Sequence, residues 1–311
     1  MLYKQIPDTN IKTSAIALGT NSIGSDIDEK TSFALLDTYV LLGGNHIDTA
    51  HYYGYGASEK TIGKWLSESG KRNDVIITTK GAWPYEGLPR LTKAEVEADL
   101  DESLSRLSLD YIDVFLLHRD CEDFAVEPII DYFNEFVKKG KIRSFGCSNW
   151  TAKRARAANE YATASGKTGF AVSQIKWSLA TVSPTYKEQD GLVPMTDDEY
   201  KFYLSANMAV MAYASQGKGF FAKMLSGGEA ALSEKAKERY LCKENLKRLE
   251  KLKTLAAEKG ISASALLLSY LYSRPFTSVP VVGCSNVNQL KDSLSATDLV
   301  LTEDEINYLI I

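Results

Sequence analysis

The chain has little of several things that would point to particular chemistries. It holds three histidines, His46, His51 and His118, at spacings that suit no metal, so no metal centre is expected. Its four cysteines, Cys121, Cys147, Cys242 and Cys284, stand far apart and suggest no disulfide framework. Isolated cysteines fit a reducing cytosol. No apolar run approaches the roughly 20 residues of a membrane span. The opening Met-Leu-Tyr-Lys-Gln-Ile-Pro-Asp lacks the apolar stretch of a secretory signal. Neither sign of charge dominates: 36 basic against 40 acidic residues give a net charge of −4. These charges are interspersed, so neither a nucleic acid nor an anionic membrane is expected as partner. A cytoplasmic protein acting on small molecules is the expectation; nothing in the chain fixes an oligomeric state.

What is present is ample core material, 44% hydrophobic over 311 residues. Eight short β-type runs recur: Ile16–Gly19, His46–Thr49, Val75–Lys80, Ile112–His118, Ser144–Ser148, Ala171–Ile175, Ala209–Tyr213 and Ser278–Val282. Most are continuously apolar, the pattern of strands buried on both faces in a parallel sheet. Amphipathic helices lie between them, such as Lys30–Leu42 and Lys93–Leu107. Thr92 with Glu95, and Thr302 with Glu305, spell capping boxes. Gly43, Gly70, Gly140 and Gly260 stand where helices should end. Strand–helix units repeated eight times predict a single (β/α)8 TIM barrel domain over residues 1–311, with an open doubly wound sheet as the alternative. Tyr3–Ile6 and Lys12–Ser14 predict an N-terminal β-hairpin. A long loop after the seventh strand, Ala214–Leu241, carries four glycines and is expected to be functional.

Function in such a barrel sits at the C-terminal strand ends. Those ends carry Asn21, Asp48, Lys80, His118, Ser148, Asn149, Gln174 and Tyr213. One polar strand end is unremarkable, but seven converging on one mouth read as a site.

At these residues the chain resembles the aldo-keto reductase superfamily over essentially its whole length. The matching stretches are Ile47-Asp48-Thr49-Ala50-His51-Tyr52-Tyr53-Gly54, Thr78-Thr79-Lys80, Leu116-Leu117-His118, Gly146-Cys147-Ser148-Asn149-Trp150 and Ala212-Tyr213. The resemblance implies an NAD(P)H-dependent oxidoreductase that reduces aldehydes or ketones of small molecules or sugars. It implies a catalytic tetrad of Asp48, Tyr53, Lys80 and His118. The chemistry suits the residue types: a tyrosine with a pKa near ~10 is a poor acid at neutral pH, and a neighbouring ammonium such as Lys80 should lower that value. An oxidative NAD-dependent sugar or polyol dehydrogenase is the in-class alternative. A redox-sensing regulatory subunit is the alternative outside it.

The resemblance assigns Ser148, Asn149 and Gln174 to the nicotinamide carboxamide and Tyr213 to ring stacking. Gly19, Thr20 and Asn21 resemble the loop beside the nicotinamide ribose, with Asp48 close by. Ser215, Gln216, Gly217 and Lys218 resemble the segment over the pyrophosphate. The adenosine end falls on Gly283, Ser285, Asn286, Gln289, Asp292 and Ser293. There the chain departs from the family: Ser285, Asn286 and Gln289 stand where basic residues commonly grip a 2′-phosphate, and only Lys291 is basic. NADP(H) remains favoured over NAD(H), with a weakened preference.

Three look-alike motifs carry nothing. Gly54–Glu59 lacks the third glycine of a dinucleotide fingerprint. His118-Arg119-Asp120 mimics a kinase catalytic loop, but Ala125 stands where that motif needs Asn. Asn149-Trp150-Thr151 is a glycosylation acceptor without meaning in a protein that is not secreted. For the substrate pocket, Tyr52, Trp83, Trp150, Trp177 and Phe220 are candidates, Tyr52 and Trp83 foremost; Trp177 equally suits the core. Arg119 would either meet a polar or anionic substrate group or pair at the surface with Asp120.

Overall fold

The computed structural model describes residues 1–310. A two-stranded antiparallel hairpin comes first, β1 (Tyr3–Gln5) and β2 (Lys12–Ser14). Eight parallel strands follow and close into a barrel: β3 (Ala17–Gly19), β4 (His46–Asp48), β5 (Ile76–Gly81), β6 (Ile112–Leu117), β7 (Ile142–Ser148), β8 (Val172–Lys176), β9 (Ala209–Tyr213) and β10 (Ser278–Val282). Each strand pairs with the next, and β10 returns to β3 through Val281 opposite Ala17. The eight runs picked from the sequence are these strands, shifted at their ends by a residue or two.

The continuous apolar runs are explained by two separate cores. Inside the barrel, Ala17, Val114, Leu116, Val172, Met211, Val279 and Val281 pack together. Ile6 and Ile11 of the hairpin join this inner cluster, so the hairpin plugs the barrel. Outside, the alternate strand residues meet the helices. Phe133 of helix α4 (Val126–Lys138), for example, stacks on Phe145 of β7 with centroids 4.6 Å apart. Period-2 geometry sends neighbouring strand residues to these opposite layers, so both must be apolar.

The other principal helices are α1 (Glu29–Leu41), α2 (Ala57–Ser69), α3 (Lys93–Leu107), α5 (Ala152–Ala164), α6 (Asp197–Ser205), α7 (Phe220–Gly227), α8 (Glu234–Tyr240), α9 (Lys243–Lys259), α10 (Ala263–Tyr272), α11 (Val287–Ser293) and α12 (Glu303–Ile310). Both expected capping boxes form. Thr92 accepts from the Glu95 N–H while the Glu95 carboxylate accepts from the Thr92 N–H, and Thr302 does the same with Glu305.

Two features differ from expectation. The insertion after β9 is not an open loop: it winds through α7 and α8, because Phe220 and Phe221 bury their rings against the core. The segment between β8 and α6, residues 177–196, is a second long stretch, mostly irregular, which the sequence pattern did not reveal. The two segments touch at Gly217. A Cβ there would lie 2.8 Å from the Ala180 methyl carbon, and the backbone φ is +56°, so glycine is required on both counts.

Candidate active site and nucleotide groove

The strand ends bring four titratable side chains together. Asp48 closes β4, Lys80 lies within β5, and His118 follows β6. Tyr53 starts a tight helical turn, Tyr53–Gly56, that leads into α2. Tyr55 and Gly56 both have positive φ, which turns the chain sharply enough to hold Tyr53 at the mouth. Arg106 of α3 clamps this turn, donating to the His51 carbonyl at 3.0 Å and to the Glu59 carboxylate at 3.3 Å. Its guanidinium also lies 2.7 Å from where a Gly56 Cβ would stand.

The Lys80 ammonium is fully buried. It donates to the Asp48 carboxylate at 2.9 Å, to the Thr49 carbonyl at 2.7 Å and to the Tyr53 hydroxyl at 3.4 Å. A buried charge needs such partners. Asp48 is held from the other side by the Gln174 amide at 2.7 Å. Burial alone would lower the Lys80 pKa, but the negative charge of Asp48 and the nearby Tyr53 outweigh it and leave it raised. Lys80 is therefore an ammonium at neutral pH.

Tyr53 behaves differently from the sequence expectation. Its pKa is raised: loss of solvation outweighs the downward pull of Lys80, and Asp48 adds to the rise. Burial, then Lys80 and Arg119, push His118 well below its ordinary value of 6.5, so its imidazole is neutral at pH 7. The His118 Nδ1 atom is buried without a partner.

Beside Tyr53 a groove of about 810 Å³ runs across the mouth. At one end lie Asp48, Tyr53 and Tyr213, and along it Gly19, Thr20 and Asn21. Ser215, Gln216 and Lys218 line its middle; Gly283, Ser285, Gln289, Asp292 and Ser293 line its far end. Ser148, Asn149 and Gln174 are buried behind the mouth. The Asn149 carbonyl oxygen accepts from the Tyr213 hydroxyl at 2.7 Å, which fixes that ring. Gly217, within the insertion, packs against Ala180 and does not line the groove. Asn286 caps α11, accepting from the Gln289 N–H at 3.0 Å, and lies outside the groove lining.

A family model described as the Aldo/keto reductase family matches residues 15–310. The chain belongs to the aldo/keto reductase family. Norsolorinic acid reductase stcV of Emericella nidulans is 28% identical, over 96% of this chain and 78% of its own length. Aryl-alcohol dehydrogenase [NADP(+)] of Phanerodontia chrysosporium is 27% identical, over 97% and 83%. The crystal structure of the thermostable aldo-keto reductase Tm1743 with the inhibitor epalrestat superposes with a TM-score of 0.74 at 26% identity, covering 99% of this chain and 98% of that one. This aldo/keto reductase is a nicotinamide-dependent oxidoreductase acting on carbonyl groups.

Aromatic residues wall the reductase's mouth beyond Tyr53. Tyr52 stacks on Trp83 with centroids 4.4 Å apart, and the Trp83 and His118 rings meet edge to face at 4.6 Å. The other aromatic candidates lie elsewhere. Trp150 has 0% exposure, stands edge-on to Phe170 and is covered by Arg154, so it is a core residue and not a pocket wall. Phe220 is buried against Phe221 and Tyr240. Trp177 packs against Tyr200 and Phe276, which also meet each other, as its core reading anticipated.

Arg119 does not pair with Asp120. That carboxylate is held by the Arg154 guanidinium through two bonds, at 3.1 and 3.0 Å. Other supporting residues escaped sequence reasoning altogether. The Thr49 carbonyl is one, since a backbone acceptor has no side-chain signature. Thr20 is a partial miss: besides lining the groove, it locks β3 to β4 by donating through N–H and hydroxyl to the Asp48 carbonyl at 3.0 and 2.9 Å.

Proposed function

We propose that Tyr53 is the general acid of carbonyl reduction, with Lys80, Asp48 and His118 serving its proton transfer. The observation that carries this reading is the buried Lys80 ammonium held between Asp48 at 2.9 Å and Tyr53 at 3.4 Å. Because the Tyr53 pKa is raised, the phenol keeps its proton at neutral pH, as a donor must. Once that proton passes to the carbonyl oxygen, a phenolate is left beside Lys80. Two opposite unit charges at that range attract by about 4–5 kcal/mol at an effective dielectric of ~20. Lys80 thus acts on the product of proton transfer more than on the resting phenol. Asp48, braced by Gln174, keeps Lys80 charged and in place. His118, neutral and without a hydrogen bond to its buried Nδ1, orients the substrate oxygen. General acid catalysis of this kind contributes typically ~10²–10⁴-fold.

The groove fits an extended dinucleotide: it is long, it ends at Tyr53, and its lining mixes amides, hydroxyls and two ammonium groups, Lys218 and Lys223. A bound reduced nicotinamide supplies the hydride. Asn149, Gln174 and Ser148 would hold the carboxamide and Tyr213 would stack on the ring. Thr20 and Asn21 would meet the ribose, and Ser215, Gln216 and Lys218 the phosphates. NADP(H) is favoured over NAD(H), which the name of the Phanerodontia chrysosporium relative supports. Steady-state assay of a panel of aldehydes and ketones with each nucleotide tests the reading; absence of turnover with every pair would overturn it.

A further inference from the structure

Arg119 is the one charged group at the catalytic end whose charge is uncompensated among the described residues. Lys80 is matched by Asp48, and His118 is neutral. Arg119 has no carboxylate within 4.0 Å, since its neighbour Asp120 is taken by Arg154. Its single hydrogen bond is a long one, from Nη1 to the His118 carbonyl at 3.4 Å. The guanidinium lies over the Trp83 ring at 4.6 Å, and Trp83 itself meets His118 edge to face at 4.6 Å. A guanidinium that meets a ring by its face keeps its planar fork of N–H donors free, the edge that meets carboxylate or phosphate with two parallel bonds. Burial lowers the Arg119 pKa, and the groups that pull it back up are the Tyr213 and Tyr53 hydroxyls, which places the cation at the reaction mouth. A half-buried cation without a partner is costly to keep unless something anionic arrives.

We infer that this reductase acts on carbonyl compounds that also carry an anionic group, carboxylate or phosphate, and that Arg119 binds that group beside Trp83. The inference rests on the carbonyl-reduction reading above and names its substrate class. Trp83 and Tyr52 would receive the apolar or ring portion between the two polar ends. Arg119 is a specificity-determining residue here, separate from the proton-transfer groups.

The test uses matched pairs of substrates. 4-Carboxybenzaldehyde is compared with benzaldehyde, and glyceraldehyde 3-phosphate with glyceraldehyde, in the wild type, Arg119→Gln and Arg119→Lys. The wild type should favour the anionic member of at least one pair in kcat/KM, mainly through KM; which pair shows it separates carboxylate from phosphate. Loss of a charge-assisted bond to a buried group should cut that ratio by about 10- to 100-fold in Arg119→Gln. Arg119→Lys should restore part of it, because a point charge keeps the attraction and loses the fork. Benzoate and inorganic phosphate, titrated against tryptophan fluorescence with and without bound nucleotide, give a readout that needs no turnover. At least one should bind the wild type and be weakened in Arg119→Gln.

An anionic-to-neutral ratio that is the same in wild type and Arg119→Gln overturns the inference. So does an equal fall for both members of a pair, which would make Arg119 a prop for Trp83. If neutral aldehydes are reduced without charge preference, only the substrate class is wrong. If no aldehyde is reduced with either nucleotide, carbonyl reduction itself fails and this inference falls with it.

Discussion

The Lys80 ammonium lies 3.4 Å from the Tyr53 hydroxyl, yet the Tyr53 pKa is raised and not lowered. The cation is neutralised on its other side by Asp48 at 2.9 Å, so Tyr53 faces an ion pair and a loss of water together. In the proposed mechanism this arrangement holds the proton on Tyr53 until the substrate oxygen takes it.

Tyr53→Phe removes the hydroxyl and little else. The expected outcome is a fall in kcat of at least about 100-fold, within the range that general acids contribute. Nucleotide affinity, read by fluorescence quenching, should move by less than about fivefold, since a hydroxyl contact is worth about 1 kcal/mol or less to binding. Activity within tenfold of wild type would remove Tyr53 from the role.

Lys80→Met leaves Asp48 buried with Gln174 as its remaining side-chain partner. Removing one member of a buried ion pair costs about 3–5 kcal/mol, so a lower denaturation midpoint is expected along with near loss of turnover. The pH profile separates the two effects. Reduction needs protonated Tyr53, so its rate should fall on the alkaline side as the phenol ionises. Lys80 pulls that pKa down, so any residual activity of Lys80→Met should lose its alkaline limb at higher pH than wild type. An alkaline limb that stays where it was would show that Tyr53 does not feel Lys80.

Much of this arrangement is legible in the chain because the deciding feature is local. A strand buried on both faces must be apolar throughout, and Asp48, Lys80 and His118 stand out as polar groups at strand ends, whereas Tyr53 lies in the turn after β4 and was marked only by the family resemblance. What was not legible depends on partners brought from afar. Arg119 and Asp120 are adjacent in sequence, but Asp120 finds Arg154, 34 residues on, and Arg119 turns to Trp83. Trp150 follows a strand end as Trp83 does, yet the start of α5 carries it under Arg154 into the core. The irregular 177–196 segment carries neither a helical nor a strand period, and its form comes from distant partners: Val193 and Met195 bond Lys176 of β8, and Thr181 bonds Asn245 of α9. The sign of the Tyr53 shift is likewise a property of burial, which no motif records.

Two buried histidines should make the fold acid-sensitive. Burial pushes His46 from 6.5 down to about 3, and His118 is lowered as well. The unfolded chain takes up protons as pH falls through 6.5, while the folded chain refuses them, so stability is lost progressively between 6.5 and about 3 and is unaffected by these groups above 6.5. Each histidine contributes a slope of at most about 1.4 kcal/mol per pH unit. The His46 ring bridges the Thr13 hydroxyl at 2.7 Å and the Thr78 hydroxyl at 2.6 Å. His46→Gln keeps hydrogen-bonding capacity and cannot titrate, so urea midpoints at pH 7.5, 6 and 5 should fall less steeply for it than for wild type. Parallel slopes would contradict the assignment.

The far end of the groove predicts a weak preference between the two nucleotides. A 2′-phosphate adds up to two negative charges, and charge-assisted bonds to it are about twice as strong as neutral ones. The groups here are neutral or acidic. Ser285 donates through its N–H and its hydroxyl to the Gln289 side-chain oxygen, both at 2.9 Å, so the two residues brace each other. Asp292 lines the groove, whereas Lys291, though exposed, does not. The remaining donor, the Gln289 amide nitrogen, serves a free 2′-hydroxyl as readily as a phosphate. The ratio of the two dissociation constants, measured by fluorescence quenching, should therefore stay under about 100-fold, or near 2.7 kcal/mol. Asp292→Asn removes the nearby negative charge and should tighten NADPH more than NADH, and more so at low salt, where screening is weak. A wild-type preference above about 100-fold would mean that a cation outside this stretch, Lys218 foremost, reaches the phosphate. Lys218→Met would then abolish the preference, whereas a pyrophosphate contact would weaken both nucleotides alike.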